Sequence, residues 1–110
     1  MPLHGHHVVA GELQAGSGVE AFSAIDPHGG GPLAPAYHDA TPAQIDAACA
    51  AAGAAAGPFA ATSPAQRAAL LRAIADGLLQ SGDELVRRYC AETALPEARA
   101  NAERGRTVGQ

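Results

Sequence analysis

The chain contains no lysine and no tryptophan, and it has one methionine, two tyrosines and two phenylalanines. Without lysine there can be no P-loop and no Schiff-base chemistry within these residues. Its seven basic residues are all arginine, they form no basic run, and the formal net charge is −4, so nucleic acid is not an expected partner. No apolar stretch is long enough to span a membrane, and no charged-then-apolar leader with a cleavage site opens the chain. The two cysteines, Cys49 and Cys90, fall on expected helix faces among apolar neighbours. They read as reduced core residues and not as a disulfide, which fits a cytoplasmic location.

Bulky apolar side chains are also scarce. Of the 110 residues 28 are alanine, and only 19 are Leu, Ile, Val or Phe, about 17 %. That lies under the roughly 20 % below which disorder is suspected, although the small net charge argues the other way. Alanine favours helix but removes little area from water, at about 25 cal/mol per Å². The composition implies helices that form readily and want a partner surface, either another subunit or the rest of a longer polypeptide.

What bulk there is concentrates between Ser63 and Pro96. Ser63-Pro64-Ala65-Gln66 supplies an N-cap, a proline at the first helical position and the return partner of a capping box. Leu70, Leu71, Ile74, Ala75, Leu78 and Leu79 then recur at the spacing of one helical face, which marks this helix as the packing anchor. Ser81-Gly82 predicts a left-handed stop near Gln80. Asp83 and Glu84 then suit the first turn of a following helix, with Leu85, Val86, Tyr89, Cys90 and Thr93 as its buried stripe. Leu95-Pro96 ends that helix and starts a fourth, running from Pro96 to Gln110, on which Arg99 and Glu103 are spaced to pair. The chain stops at Thr107-Val108-Gly109-Gln110, which reads as a cut in or just after a helix that continues.

Upstream, Thr41-Pro42-Ala43-Gln44 repeats the same start signal. Ile45, Ala48, Cys49, Ala52 and Ala56 define one face of an alanine-rich helix, and Gly57-Pro58 is expected to stop it. Before it the pattern is extended. Val8-Val9-Ala10 leads to Gly11, Gly16-Ser17-Gly18 marks a turn, and Val19 to Ile25 reads as a strand with Val19, Ala21, Ser23 and Ile25 on one face. A further short strand is expected over Leu33 to His38. His28-Gly29-Gly30-Gly31-Pro32 is a turn and not a phosphate cradle: no G-x-G-x-x-G is present and no strong helix start follows.

Side chains with chemistry do not assemble into a site. His4, His6 and His7 cannot close a tetrahedral metal shell without a further ligand and a scaffold, so Met1 to His7 reads as a floppy N-terminus. Nothing in the sequence brings Cys90 to His38 as a thiol–imidazole pair. Asp83 and Glu84 point about 100° apart on a helix and serve its terminus better than acid–base work. Arg87-Arg88 and Arg104 with Arg106 could hold an anion, but arginines scattered on a helix are ordinarily solvated or paired. No catalytic, cofactor-binding or metal-binding residue is assigned.

The order of these elements resembles the N-terminal part of an aldehyde dehydrogenase. His7-Val8-Val9-Ala10-Gly11-Glu12 is similar to the family's first hairpin strand and its glycine, and Phe22 to Pro27 to the strand ending in Asn-Pro, here Asp26-Pro27. Phe59 falls near a customary aromatic. Arg67 to Asp76 matches the family's "R-x-x-L-x-x-x-A-D" helix, while Asp83-Glu84-Leu85 and Glu92-Thr93 match the next helix and its "E-T-G-x-P" end, with Ala94 in place of the glycine. Ala34 to His38, Leu95-Pro96 and Glu103 to Gln110 look most like the branch acting on 2,5-dioxopentanoate (α-ketoglutarate semialdehyde).

That resemblance implies a parent enzyme of α/β class with a Rossmann-like cofactor domain, oxidising a semialdehyde to the acid with NAD or NADP through a cysteine thiohemiacetal and a glutamate base. Its nucleophile, base and dinucleotide-binding residues would all lie beyond position 110, and neither Cys49 nor Cys90 matches the nucleophile's motif. Residues 1–110 would be the incomplete N-terminal part of the NAD(P)-binding domain: mainly α, a β-hairpin followed by about four helices. The chain alone would bind no cofactor and be inactive. Its partner would be the remainder of the polypeptide, homo-oligomeric at full length. The alternative is a stand-alone small helical module with an interaction or structural role.

Overall fold

A computed structural model describes residues 3–17 and 20–110. The order is β1 (His7–Val9), β2 (Glu12–Gln14), β3 (Ala21–Ile25), β4 (Pro32–His38), α1 (Pro42–Ala60), α2 (Pro64–Gln80), α3 (Gly82–Thr93) and α4 (Glu97–Gly109). The four helices are those expected, and two hairpins precede them where one was expected. The chain divides into two compact units.

One unit comprises residues 2–24 and 33–62. Its first hairpin pairs β1 with β2 antiparallel, placing His7 opposite Gln14 and Val9 opposite Glu12. The connection is Ala10-Gly11, both with positive φ (53° and 83°), the geometry of a type I′ turn whose twist suits two short strands. Gly11 thus stands at the turn, as the resemblance implied, while the turn expected over Gly16 to Gly18 reaches into residues outside those described. Gly18 and Val19 lie outside the described residues, so the start of the strand expected from Val19 is not described. Within β3 the expected alternation is blurred, with Ser23 and Ala24 half-buried and Ala21, Phe22 and Ile25 exposed.

β3 pairs with β4, the longest strand, and Phe22 and Tyr37 stack across them with ring centroids 5.8 Å apart. Of the segment Met1 to His7 expected to be floppy, residues 1 and 2 lie outside the described residues and the rest is packed. A Cβ placed on Gly5 would lie 1.9 Å from the carbonyl oxygen of Ala36, and one on Gly16 would lie 2.5 Å from the Cβ of His38. Residues 3–6 and 14–17 therefore press against β4 at points where only glycine fits. Val9, at 9 % exposure, is the unit's buried side chain among the described residues.

α1 begins as the sequence requires. The Thr41 hydroxyl accepts from the Gln44 N–H at 3.2 Å, and the Gln44 carboxamide oxygen accepts from the Thr41 N–H at 3.0 Å. The Gln44 Nε2 donates to the Ala15 carbonyl at 3.2 Å, which ties the helix start to the strand segment before it. Pro58 does not stop α1. It sits in the last turn, where its missing N–H removes one rung and the ladder resumes with the Ala61 N–H on Gly57 O at 3.1 Å. Nor does the face expected to pack do so. Ile45, Cys49, Ala52 and Ala56 are exposed and only Ala48 of that set is half-buried, so Cys49 is not a core residue.

The other unit comprises residues 25–32 and 63–110. The 25–32 segment is a closed turn. The Asp26 N–H donates to Gly31 O at 2.9 Å, the Gly30 N–H to Asp26 O at 2.7 Å and the His28 N–H to the Asp26 carboxylate at 2.8 Å, with Gly30 at φ 70°. α2 opens with a second capping box, Ser63 with Gln66, and ends where Gly82 adopts φ 55°. α4 packs on both α2 and α3.

α2 is no buried anchor. Leu70, Leu71, Ile74 and Leu79 are between 47 % and 67 % exposed, and only Ala75 and Leu78 of its apolar stripe are half-buried. The unit's buried side chains among the described residues are Val86 on α3, 3 % exposed, and Ala100 on α4, 5 % exposed. Leu85 and Thr93, expected in the α3 stripe, are exposed; the Thr93 hydroxyl instead donates to Tyr89 O at 2.7 Å and accepts from the Leu95 N–H at 3.2 Å.

α3 stops at Ala94, which holds φ 57° and ψ 13° as the left-handed cap. A side chain with a Cβ is strained there, by roughly 1 kcal/mol relative to glycine. Ala94→Gly is expected to raise stability by about 0.5–1 kcal/mol, because relief of the strain outweighs the extra freedom glycine gives the unfolded chain. Urea titration followed by circular dichroism reads this directly, and a lower midpoint would contradict it.

Candidate functional site

A concavity lies within the helical unit. Leu78, Leu85, Val86, Tyr89 and Ala100 line a cleft of about 130 Å³, with Glu103, Arg104 and Thr107 at its edge. Its position follows from the sequence: Gly82 turns the chain sharply between α2 and α3, and the small Ala100 lets α4 approach Val86 closely.

The charged side chains at that edge are already engaged. Arg104 Nη1 donates to the Gly82 carbonyl at 2.8 Å, and Nη2 donates to Asn101 Oδ1 at 2.8 Å. The guanidinium thus latches α4 to the first residue of α3. Glu103 receives Arg99 Nη2 at 2.7 Å, the pair expected from their spacing, and Arg106 Nε stands 3.8 Å away on its other side. With these partners the cleft offers an apolar surface and no reactive group. The carboxylate in its lining, Glu103, is engaged by Arg99.

The other singled-out residues are dispersed. Cys49 is exposed on α1, Cys90 is half-buried on α3, and both are free thiols. His38 belongs to the strand-bearing unit and lies against Gly16, whereas Cys90 belongs to the helical unit. Asp83 and Glu84 occupy the first turn of α3, where negative charge complements the helix terminus. Arg88 pairs with Glu92 one turn further along α3. His4 and His6 face each other with ring centroids 5.3 Å apart, and His7 lies in β1. Among the described residues no three His, Cys, Asp or Glu side chains are grouped so as to hold a metal ion.

The glycine-rich type of dinucleotide site uses a glycine turn that opens a helix, so that free amides meet the pyrophosphate. Here Gly29 to Gly31 join two strands, and amides of that loop are spent on Asp26. This segment does not fit an NAD(P) phosphate site. Among the described residues no helix is long and apolar enough to cross a membrane.

The functional meaning of the chain comes from what it is similar to. Residues 14–110 match the Aldehyde dehydrogenase family. Along its whole length the chain is 44 % identical to alpha-ketoglutaric semialdehyde dehydrogenase 2 of Azospirillum brasilense, of which it covers 21 %. It is 32 % identical over 86 % of its length to 2-hydroxymuconic semialdehyde dehydrogenase of Pseudomonas sp. (strain CF600), covering 20 % of that protein. The crystal structure of an NAD-dependent benzaldehyde dehydrogenase from Corynebacterium glutamicum superposes on 92 % of the chain with a TM-score of 0.82 at 28 % identity, the match covering 22 % of that structure. The chain therefore spans about a fifth of the length of the relatives it matches. On these matches, the chain belongs to the aldehyde dehydrogenase family.

Proposed function

We propose that these residues form the N-terminal part of the NAD(P)-binding domain of an aldehyde dehydrogenase that oxidises a semialdehyde to the acid, with 2,5-dioxopentanoate as the candidate substrate. The observation that carries this reading is the 44 % identity, along the whole chain, to one fifth of an alpha-ketoglutaric semialdehyde dehydrogenase. Physical support comes from the surface. α1 carries one charged side chain, Asp46, on a helix that buries no residue, and α2 leaves four large aliphatic side chains half in water. A helix apolar all round belongs in the interior of something larger. In this reading that larger body is the remainder of the parent polypeptide, a cytoplasmic homo-oligomer.

The role of residues 1–110 is then scaffolding. They supply neither nucleophile nor base, and the dinucleotide is held by residues the chain does not contain. The alternative, a stand-alone helical module, needs a core sufficient for cooperative unfolding, and three buried small side chains among the described residues are a slight one.

The test is an assay of the purified chain with 2,5-dioxopentanoate and NAD or NADP. No dinucleotide reduction above background is expected; turnover by the chain alone would overturn the proposal. A second arm supplies the complementary part of the Azospirillum brasilense relative by co-expression. Semialdehyde oxidation is expected to appear only when both pieces are present.

A further inference from the structure

We draw no further inference here: the strongest candidate, the exposed apolar arc of α2 formed by Leu70, Leu71 and Ile74, has nothing in the structure to show what covers it beyond the remainder of the polypeptide already proposed.

Discussion

Gly5→Ala is expected to destabilise the strand-bearing unit by about 2–3 kcal/mol, the upper part of the range for inserting a methyl group where there is no room. The added carbon would stand 1.9 Å from the backbone oxygen of Ala36, and a backbone atom cannot swing aside as a flexible side chain can. Either the N-terminal segment lifts off β4 or β4 itself moves. Gly16→Ala meets the Cβ of His38 at 2.5 Å and should follow the same course with a somewhat smaller loss, since a side chain can yield more than a main chain. Gly53→Ala is the matching control. Nothing lies within 4 Å of a Cβ at that position, which is inside α1, so the substitution should stabilise by about 0.5–1 kcal/mol through helix propensity. Denaturant titrations of the three variants against the parent chain give the comparison. Equal midpoints for Gly5→Ala and Gly53→Ala would show that the close approach at Ala36 does not constrain the fold.

The second large effect is at Val86. Truncation to alanine removes two methyl groups from a side chain 3 % exposed, where α3 meets α4. At about 0.8 kcal/mol per buried carbon plus the cost of the cavity, the expected loss is about 2 kcal/mol. Leu71→Ala is the instructive counterpart. Leu71 is 67 % exposed, so in the 110-residue chain its truncation should change stability by less than about 0.5 kcal/mol. If the remainder of the polypeptide covers α2, as proposed, the same substitution in the full-length enzyme should cost about 2 kcal/mol or more. Thermal or urea unfolding of both lengths makes the distinction. A Leu71→Ala that is silent at full length would show that this face stays in water there too, and the proposed covering of α2 would fall.

Local signals were readable in the sequence, and tertiary ones were not. The boxes at Thr41 and Ser63 depend on residues three apart, so spelling and structure coincide. The same holds for the left-handed Gly82 and the Arg99–Glu103 pair. Pro58 misleads because a missing amide matters less in a final turn than in a helix interior. Periodicity correctly located the apolar stripe of α2, but a stripe states what could be buried and not what is. Whether Leu71 is covered depends on atoms from elsewhere. Conversely, the side chains that are buried are modest. Ala100 was not singled out among the other small and charged residues of α4, because a methyl group carries no sequence signal of its own.

No catalytic residue was assigned from the sequence, for a different reason. Chemistry needs particular residue types in a particular arrangement, and the chain offers two unmatched cysteines and a glycine triplet with no helix behind it. The family, by contrast, was carried by the order of many weak motifs. Each alone would have been uninformative, and Ala94 departs from one of them while holding the left-handed geometry that glycine suits best.

The contact between Gly5 and Ala36 has a consequence for the order of events during synthesis. The chain emerges from its N-terminus, and the first hairpin can zip as soon as Gln14 is available, because its turn is local. β4, against which Gly5 lies, is made about twenty residues later, and α1, which β1 also touches, later still. Closing so long a loop costs entropy that only the finished clasp offsets. The clasp at Gly5 therefore waits until β4 has left the ribosome.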